Sequence, residues 1–347
     1  MADRYWVGGT ASWDGTAGTK WATSSGGVGG ASVPTTADDV FFDASSTGTC
    51  TIAAGNTGAK SINCTGFTGT ITGTTAITVA GSVTLVAGMT YSHTGTVTFT
   101  GTGTLTTAGK TFSGVTVNAA GITLTLGDAL NLGSQTLTVN AGAFNANNYN
   151  VTCNSFSSSN SNTRTITMGS GLWTLSGTGG VWATVSTSGL TFNKDTANIL
   201  LSSNSTASRT FDGGSLSYNT LTIGGATSTS ITNVGIGSSS FTELASVKTV
   251  AHTIRFQSNL TTVDTWSITG TSGNVVTVAS TSTGTRRTFT LTNVTSNIDC
   301  ISISDIGELS GNKFYVGANS TDGGNNSNIY FTASPPPQAS GSMLMLF

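Results

Sequence analysis

The chain has 347 residues, of which 36% are hydrophobic and only 7% are charged, with 46 glycines and a formal net charge of −2. Strong helix formers are scarce while Thr, Ser and Gly abound, so the composition argues against a helical protein and favours β-strands. The 12 basic residues are scattered among 14 acidic ones and cannot neutralise a run of phosphates, so we expect no nucleic-acid binding.

The sequence contains no membrane span and no recognisable secretion signal. No stretch approaches the roughly 20 apolar residues that a span needs. The opening Met-Ala-Asp-Arg-Tyr-Trp lacks the basic and apolar regions of a signal peptide. We therefore expect a soluble chain that is not exported by a visible signal.

Four dispersed cysteines, Cys50, Cys64, Cys153 and Cys300, are too few for a disulfide scaffold or a zinc site. We expect them to be small core residues, and a Cys50–Cys64 bridge is left open. No metal ion and no cofactor is expected, because the two histidines have no metal-ligand or catalytic-triad spacing around them.

Residues 1–44 form the first of three regions and hold half of the six tryptophans, Trp6, Trp13 and Trp21. This concentration of large rings predicts a compact cap at the N-terminal end of the fold. The same three tryptophans are candidates for attachment to a partner.

Residues 45–332 form the body, which repeats a short unit of two apolar residues flanking one small polar residue. Alternation with a period of two indicates a strand with one buried face and one solvent face. Such units recur after about six to eight residues, which leaves two or three residues for each strand and the rest for a turn. Examples are Ile77-Thr-Val79, Val83-Thr-Leu85, Val97-Thr-Phe99, Val115-Thr-Val117 and Ile122-Thr-Leu124.

This spacing decides the architecture. Antiparallel sandwiches and barrels show longer strands, with turn signals about every 8–12 residues. Very short strands separated by Gly, Asn or Ser corners fit a chain that stacks coil on coil, with three strands in a coil of about 20 residues. We therefore predict an all-β fold, a right-handed parallel β-helix (β-solenoid) with an aromatic-rich N-terminal cap and a short C-terminal tail.

Residues 333–347 form that tail, a Pro-rich linker followed by an apolar end. The apolar end consists of Met343, Leu344, Met345, Leu346 and Phe347. Exposed apolar residues after a proline spacer predict an anchor that inserts into a neighbouring subunit or partner. The alternative is that the tail folds back over the last coil of its own chain.

The two ends of the chain carry distinctive motifs. RYWVGGTASWD spans residues 4–14, ASVPTTADDVFFDA spans 31–44, and NSTDGGNNSNIYFT spans 319–332. These segments resemble the ends of β-helical structural proteins, of the fibre or decoration type, in tailed bacteriophage virions. The resemblance covers the two ends, with similarity of composition between them, and carries no catalytic residues across.

The resemblance implies a location in the virion after assembly in the host cytoplasm. It implies partners among the other virion proteins, namely capsid, portal or neck, and tail proteins. We further expect a homo-oligomer, with a trimer favoured, and contact with host surface glycans. The leading hypothesis is a non-enzymatic virion structural protein, an exposed β-helical fibre or decoration subunit on the head or the tail.

A tailspike-like polysaccharide depolymerase is the first alternative, because parallel β-helices often carry such activity. Asp299, Asp305 and Glu308 cluster near the end of the body and are the candidate catalytic residues. A glycosidase needs two carboxylates about 5–10 Å apart. On an unbroken strand Asp299 and Asp305 would share a face but lie about 20 Å apart, so turn capping is the favoured role.

Ice binding is the second alternative. Thr-x-Thr strings such as residues 96–104 and 163–167 resemble the flat threonine faces that ice-binding solenoids use. Threonine is also the residue that a solvated, uncharged strand face prefers. Because the strings do not follow one fixed phase along the sequence, ice binding ranks below the structural hypothesis.

Overall fold

A computed structural model describes residues 2–235 and 237–335, and the chain is all-β throughout these ranges, without a helix. Its parallel sheets form a β-solenoid of about 13 coils. The predicted all-β, parallel β-solenoid fold is thereby confirmed, whereas the aromatic-rich cap and the short tail stay predictions. The predicted apolar anchor, Met343 to Phe347, lies outside the described residues.

The strands are short and follow one another closely. The first group is β1 (Asp3–Trp6), β2 (Ala11–Trp13), β3 (Trp21–Ala22), β4 (Asp39–Phe41), β5 (Thr49–Ile52), β6 (Ser61–Asn63), β7 (Thr70–Gly73), β8 (Ile77–Val79), β9 (Val83–Thr84), β10 (Thr90–His93), β11 (Val97–Phe99) and β12 (Gly103–Thr106). The second group is β13 (Val115–Leu126), β14 (Leu130–Asn131), β15 (Thr136–Asn145), β16 (Val151–Cys153), β17 (Ser155–Ser157), β18 (Arg164–Thr167), β19 (Trp173–Leu175), β20 (Gly179–Ala183), β21 (Leu190–Asn193), β22 (Ile199–Leu201), β23 (Arg209–Asp212) and β24 (Ser217–Ile223). The last group is β25 (Ile231–Val234), β26 (Ser240–Ser246), β27 (His252–Phe256), β28 (Thr262–Ser267), β29 (Val276–Ser280), β30 (Arg287–Leu291), β31 (Ile301–Ser304), β32 (Ile306–Glu308), β33 (Phe314–Tyr315), β34 (Thr321–Asp322) and β35 (Ile329–Tyr330).

Three strands make up one coil in the first half of the body. In the coil of β8, β9 and β10, the first two strands pair in parallel with β11 and β12 of the next coil, and β10 pairs with β7 of the previous one. Thr78 lies beside Thr98, which lies beside Thr116, so the chain returns to the same face after 20 and then 18 residues. Later coils are longer, since Trp173 lies beside Ile199.

Two strands are longer than the sequence units predicted. β13 joins the unit at Val115 to the unit at Ile122, and β15 runs beside it with two shifts of register. Gly142 in β15 has a φ of 84°, and a Cβ there would come within 2.4 Å of the carbonyl oxygen of Ala119. Glycine at this position therefore lets one strand bend around a corner without a break.

One continuous hydrophobic cluster fills the solenoid from Trp6 to Val316. Aromatic rings pack in the first coils and again in the middle of the body, whereas aliphatic side chains dominate the core between about Ile71 and Val139. The ring centroids of Phe156 and Trp182 are 4.5 Å apart, and those of Trp182 and Phe211 are 5.5 Å apart. The longer coils enclose a wider interior, and rings supply the volume that fills it.

The N-terminal region continues directly into the body. β3 pairs antiparallel with β1, and β1 pairs in parallel with β4. β4 then pairs with β6 and β2 with β5, across the predicted boundary between residues 44 and 45. The sheets and the hydrophobic core therefore continue across this position. The division of the chain between residues 44 and 45 stays a prediction.

Candidate functional site

The three tryptophans predicted as attachment candidates, Trp6, Trp13 and Trp21, are fully buried, each with 0% of its surface exposed. The ring centroid of Trp21 is 5.1 Å from that of Trp6 and 5.1 Å from that of Trp13, in edge contact with both. Phe42 packs against all three rings. These rings fill the interior of the first coils, so attachment through this end would use other groups.

Asp299 and Asp305 flank β31 and do not lie on one unbroken strand. Cys300 and Asp305 have φ angles of 53° and 58°, in the left-handed region. The chain therefore turns at both ends of Ile301–Ser304. The expectation that the two residues share one face assumed a continuous strand from Asp299 to Asp305, whereas the structure has a turn at each end of β31.

Each of these two aspartates holds a turn through hydrogen bonds. Asp299 Oδ1 accepts hydrogen bonds of 2.9 Å from the backbone N–H groups of Cys300 and Asn319, and Oδ2 accepts one of 2.6 Å from Asn319 Nδ2. The Asn319 side chain holds the pKa of Asp299 below its usual value. Asp305 accepts hydrogen bonds from Gly284 N at 3.0 Å and Asn325 Nδ2 at 2.6 Å.

Glu308 is the most buried of the three carboxylates, with no exposed surface. Oε1 accepts hydrogen bonds from Leu291 N at 3.0 Å and Ser310 N at 2.7 Å, and also from the Ser310 hydroxyl. Oε2 accepts one from Gly311 N at 2.7 Å. The carboxylate thus satisfies the backbone of the loop that follows β32, which is the turn-capping role that the sequence favoured.

Outward-facing hydroxyls stack in register on several faces. On the sheet of β2, β5, β7 and β10 they form two adjacent columns, so that each central strand presents Thr-x-Thr. Neighbouring strands lie about 4.7–4.9 Å apart, which makes the columns regular. The columns are Thr49, Thr70 and Thr90, and Ser12, Thr51, Thr72 and Ser92.

Other faces carry similar columns. One continuous column runs through Thr78, Thr98, Thr116, Thr138 and Ser157. A second runs through Thr104, Thr125, Asn145, Thr167 and Asn193. This register was not predictable from the sequence, because the corners between units differ in length from coil to coil.

Buried cations support the lengthened corners of the second half, a feature that the sequence analysis missed. The Arg209 side chain is 1% exposed and donates hydrogen bonds to the carbonyls of Leu201, Ser203 and Gly224. Arg164, also 1% exposed, donates to four carbonyls in the same way. Longer corners turn their carbonyls inward, and a cation supplies the donors that they need.

Lys248 extends this arrangement. Its Nζ donates to the Ser228 carbonyl at 2.6 Å and to Ser230 Oγ at 3.1 Å. Burial lowers the pKa of Lys248 to about 8, with a smaller contribution from the charge of Arg209. Burial likewise lowers the pKa of Arg209 to about 10. Burial therefore disfavours the charged forms of both Lys248 and Arg209.

The lowered pKa of Lys248 predicts a pH-dependent stability. Between its folded pKa of about 8 and its usual value of 10.5, the unfolded chain binds more protons, so this residue makes stability rise with pH. Lys248→Met should remove that contribution. We expect the stability difference between wild type and variant to grow in favour of wild type from about pH 8 upwards, measured by urea unfolding. The thiols and tyrosines that also titrate in this pH range are the same in both proteins, so their contributions cancel in the comparison. A stability difference between wild type and Lys248→Met that is constant with pH would contradict the lowered pKa of Lys248.

All four cysteines are free, so the Cys50–Cys64 bridge left open by the sequence is not formed. Cys50, Cys64 and Cys153 are buried, and burial raises the pKa of each thiol, to about 12 for Cys64 and Cys153. Cys300 is only partly buried.

This contrast predicts selective alkylation. Iodoacetamide at neutral pH should modify Cys300 first in the folded protein, because a buried thiol is both inaccessible and protonated. Peptide mass spectrometry after brief treatment should find the other three unmodified, and all four modified in denaturant. Early labelling of Cys50 or Cys64 would contradict the packing of the first coils.

A cleft of about 920 Å³ lies near the C-terminal end of the solenoid. Its walls come from three segments, within residues 294–299, 312–319 and 333–335. The half-buried ring of Tyr315 lines it, together with the side chains of Asp299 and Asn319. The sequence singled out Asp299 but did not indicate that these segments meet.

The fold and these surfaces define an all-β solenoid protein with hydroxyl-rich outer faces. No protein-family model matches the chain, and neither a curated protein nor a solved structure is significantly similar to it. Within residues 2–235 and 237–335, no group of His, Cys, Asp and Glu side chains could hold a metal ion. The same ranges contain no helix that could span a membrane.

Proposed function

We propose that the chain is a non-enzymatic structural protein of a tailed-phage virion, an exposed fibre or decoration subunit on the head or tail. The observation that carries the proposal is the continuous solenoid, with one core from Trp6 to Val316 and in-register hydroxyl columns outside it. The proposed location in the virion rests on the terminal motifs, which resemble those of β-helical virion proteins. Other virion proteins are the proposed partners, and a homo-oligomer, with a trimer favoured, is the proposed assembly.

The stacked architecture suits a mechanical and adhesive role. Each coil is hydrogen-bonded to the coils before and after it, so an elongated body is built from repeated neighbour contacts. Faces of Thr, Ser and Asn can donate and accept hydrogen bonds without the desolvation penalty of charges. Such faces can pack against identical subunits or against host sugars.

Mass spectrometry of purified particles tests the virion assignment. We expect peptides of this chain at a fixed ratio to the major capsid protein, and they should remain after washing in high salt. Absence of the peptides from intact particles would refute the proposal.

The depolymerase alternative is tested separately, with host polysaccharide and purified protein. We expect no shortening of the polysaccharide, since Asp299, Asp305 and Glu308 each hold a turn through hydrogen bonds. Shortening that is lost in an Asp299→Asn variant of unchanged stability would favour the enzyme instead.

Ice binding is kept as a second candidate because of the two-column Thr-x-Thr face on β5 and β7. Its test is thermal hysteresis of the purified chain, with Thr70→Tyr as the variant that disrupts the face. Thr98→Tyr, on another face, is the matched control. Hysteresis that disappears only in Thr70→Tyr would favour ice binding over the virion proposal.

A further inference from the structure

We propose that the C-terminal cleft is a binding site for a neutral saccharide. This inference deepens the proposed function, on which it rests for the source of the sugar, a glycan of the host surface. The binding itself is a property of the cleft and is tested on the purified chain.

The size and position of the cleft suit a ligand of this class. Its volume of about 920 Å³ lies within the range of about 300–1,000 Å³ that small-molecule sites occupy. It opens beside the last coils, where β33 and β35 pair. A glycan chain that extends from a surface could reach it without entering the solenoid.

Planar polar side chains converge on the cleft. Asn297, Asp299, Asn312 and Asn319 line it. Amides both donate and accept hydrogen bonds, and a carboxylate accepts them, which matches the hydroxyls of a sugar. The bonds from Cys300 and Asn319 fix the orientation of the Asp299 carboxylate before any ligand arrives.

The Asn297 side chain is the group most available to a ligand. The residue is exposed and has a φ of 58°. No side chain or backbone group in the described parts of the chain forms a hydrogen bond with its amide. Asn312 uses its Oδ1 to accept a hydrogen bond of 2.6 Å from the Tyr330 hydroxyl, which leaves its N–H groups for a ligand.

Tyr315 supplies the apolar surface of the cleft. Its ring stacks on that of Tyr330, with centroids 4.9 Å apart and planes at 24°. The stack holds the ring in a fixed orientation, so little side-chain entropy is lost on binding. The C–H face of a pyranose can pack against such a ring while its hydroxyls meet the amides.

The charge of the cleft selects among saccharides. Its lining contains Asp299 and no Lys, Arg or His. An aspartate is ionised at neutral pH, and the hydrogen bond from Asn319 lowers the pKa of Asp299 further. An acidic sugar would meet this negative charge without a cation to pair with, so a neutral sugar is favoured.

The test is titration calorimetry on the full chain with matched probes. Chitotetraose, maltotetraose and a galactose tetrasaccharide are the neutral probes, and tetragalacturonate is the anionic one. We expect at least one neutral probe to bind and the anionic probe to bind at least tenfold more weakly. Asn297→Gly should weaken neutral binding about tenfold through loss of its hydrogen bonds, and Tyr315→Ala should weaken it further.

The control variants are chosen to match. Glycine adopts the φ of Asn297 without strain, so Asn297→Gly is expected to fold, and Asn148→Gly repeats the change at an exposed residue with a φ of 67° away from the cleft. Tyr5, stacked on Phe41 at 4.8 Å at the other end of the chain, gives the control Tyr5→Ala. Both controls should bind as wild type does.

The outcomes separate this inference from the proposed function. Absence of binding by every neutral probe would overturn the saccharide site, even if virions contain the chain. Equal binding of the anionic probe, or binding unchanged in both Asn297→Gly and Tyr315→Ala, would also overturn it. Binding with the expected pattern, by a chain absent from virions, would support the site and refute the proposed function.

Discussion

Replacement of Trp21 by alanine is expected to lower the free energy of unfolding of the N-terminal coils by about 3–5 kcal/mol. The ring is fully buried and contacts the rings of Trp6, Trp13 and Phe42. Its removal leaves a cavity that the surrounding rings can fill only in part. Trp21 also lies in β3, which pairs antiparallel with β1 at the start of the solenoid.

The effect should be local, because coils of a solenoid are stabilised by their neighbours. Hydrogen exchange should accelerate in β1, β2 and β4 and remain slow in β27 and β29. Val28→Ala is the control, since Val28 is 95% exposed. If the amides of β1, β2 and β4 exchange at the same rates in Trp21→Ala and Val28→Ala, the aromatic cluster does not stabilise the N-terminal coils.

Replacement of Glu308 by alanine is expected to cost about 3 kcal/mol or more at the C-terminal coils. The buried carboxylate accepts hydrogen bonds from the backbone N–H groups of Leu291, Ser310 and Gly311. Without it the N–H group of Leu291 stays buried and unsatisfied, and the partly buried N–H groups of Ser310 and Gly311 lose their acceptor. Glu308→Gln should cost less, because one acceptor oxygen remains, although its NH2 group then faces backbone donors.

Hydrogen exchange at the amides of Leu291 and Gly311 measures this loss directly. Glu243→Ala is the matched control, since Glu243 is partly exposed and accepts a hydrogen bond of 3.2 Å from the Thr220 hydroxyl. We expect little change in that variant. Exchange at Leu291 and Gly311 that is equally slow in both variants would show that Glu308 does not cap this loop.

Much of the fold was predictable because the strand units are local. The alternation at Ile77–Val79 and Val97–Phe99 identified β8 and β11 correctly, and the short spacing between units indicated coils. The merging of two units into β13 was not predictable, because it depends on how a glycine corner bends against the next coil. The hydroxyl columns were also hidden, since register follows from corner lengths that vary along the chain.

The candidate sites were predicted less well, for a physical reason. The sequence singled out Trp21 in a group of three tryptophans and Glu308 in a cluster of three carboxylates, but did not indicate whether their side chains face inward or outward. Arg209 gave no local signal, because the carbonyls that it binds belong to two corners, after β22 and after β24, that only the coiled chain brings together. The cleft around Tyr315 likewise joins segments that are distant in sequence.

Electron cryomicroscopy of the purified particle tests whether the chain is an exposed subunit of a virion. We expect an elongated appendage on the head or tail whose cross-strand repeat is about 4.8 Å, into which the coils from β1 to β35 fit. We also expect several copies related by symmetry, with three favoured. A particle map in which every surface appendage is accounted for by other chains would contradict it.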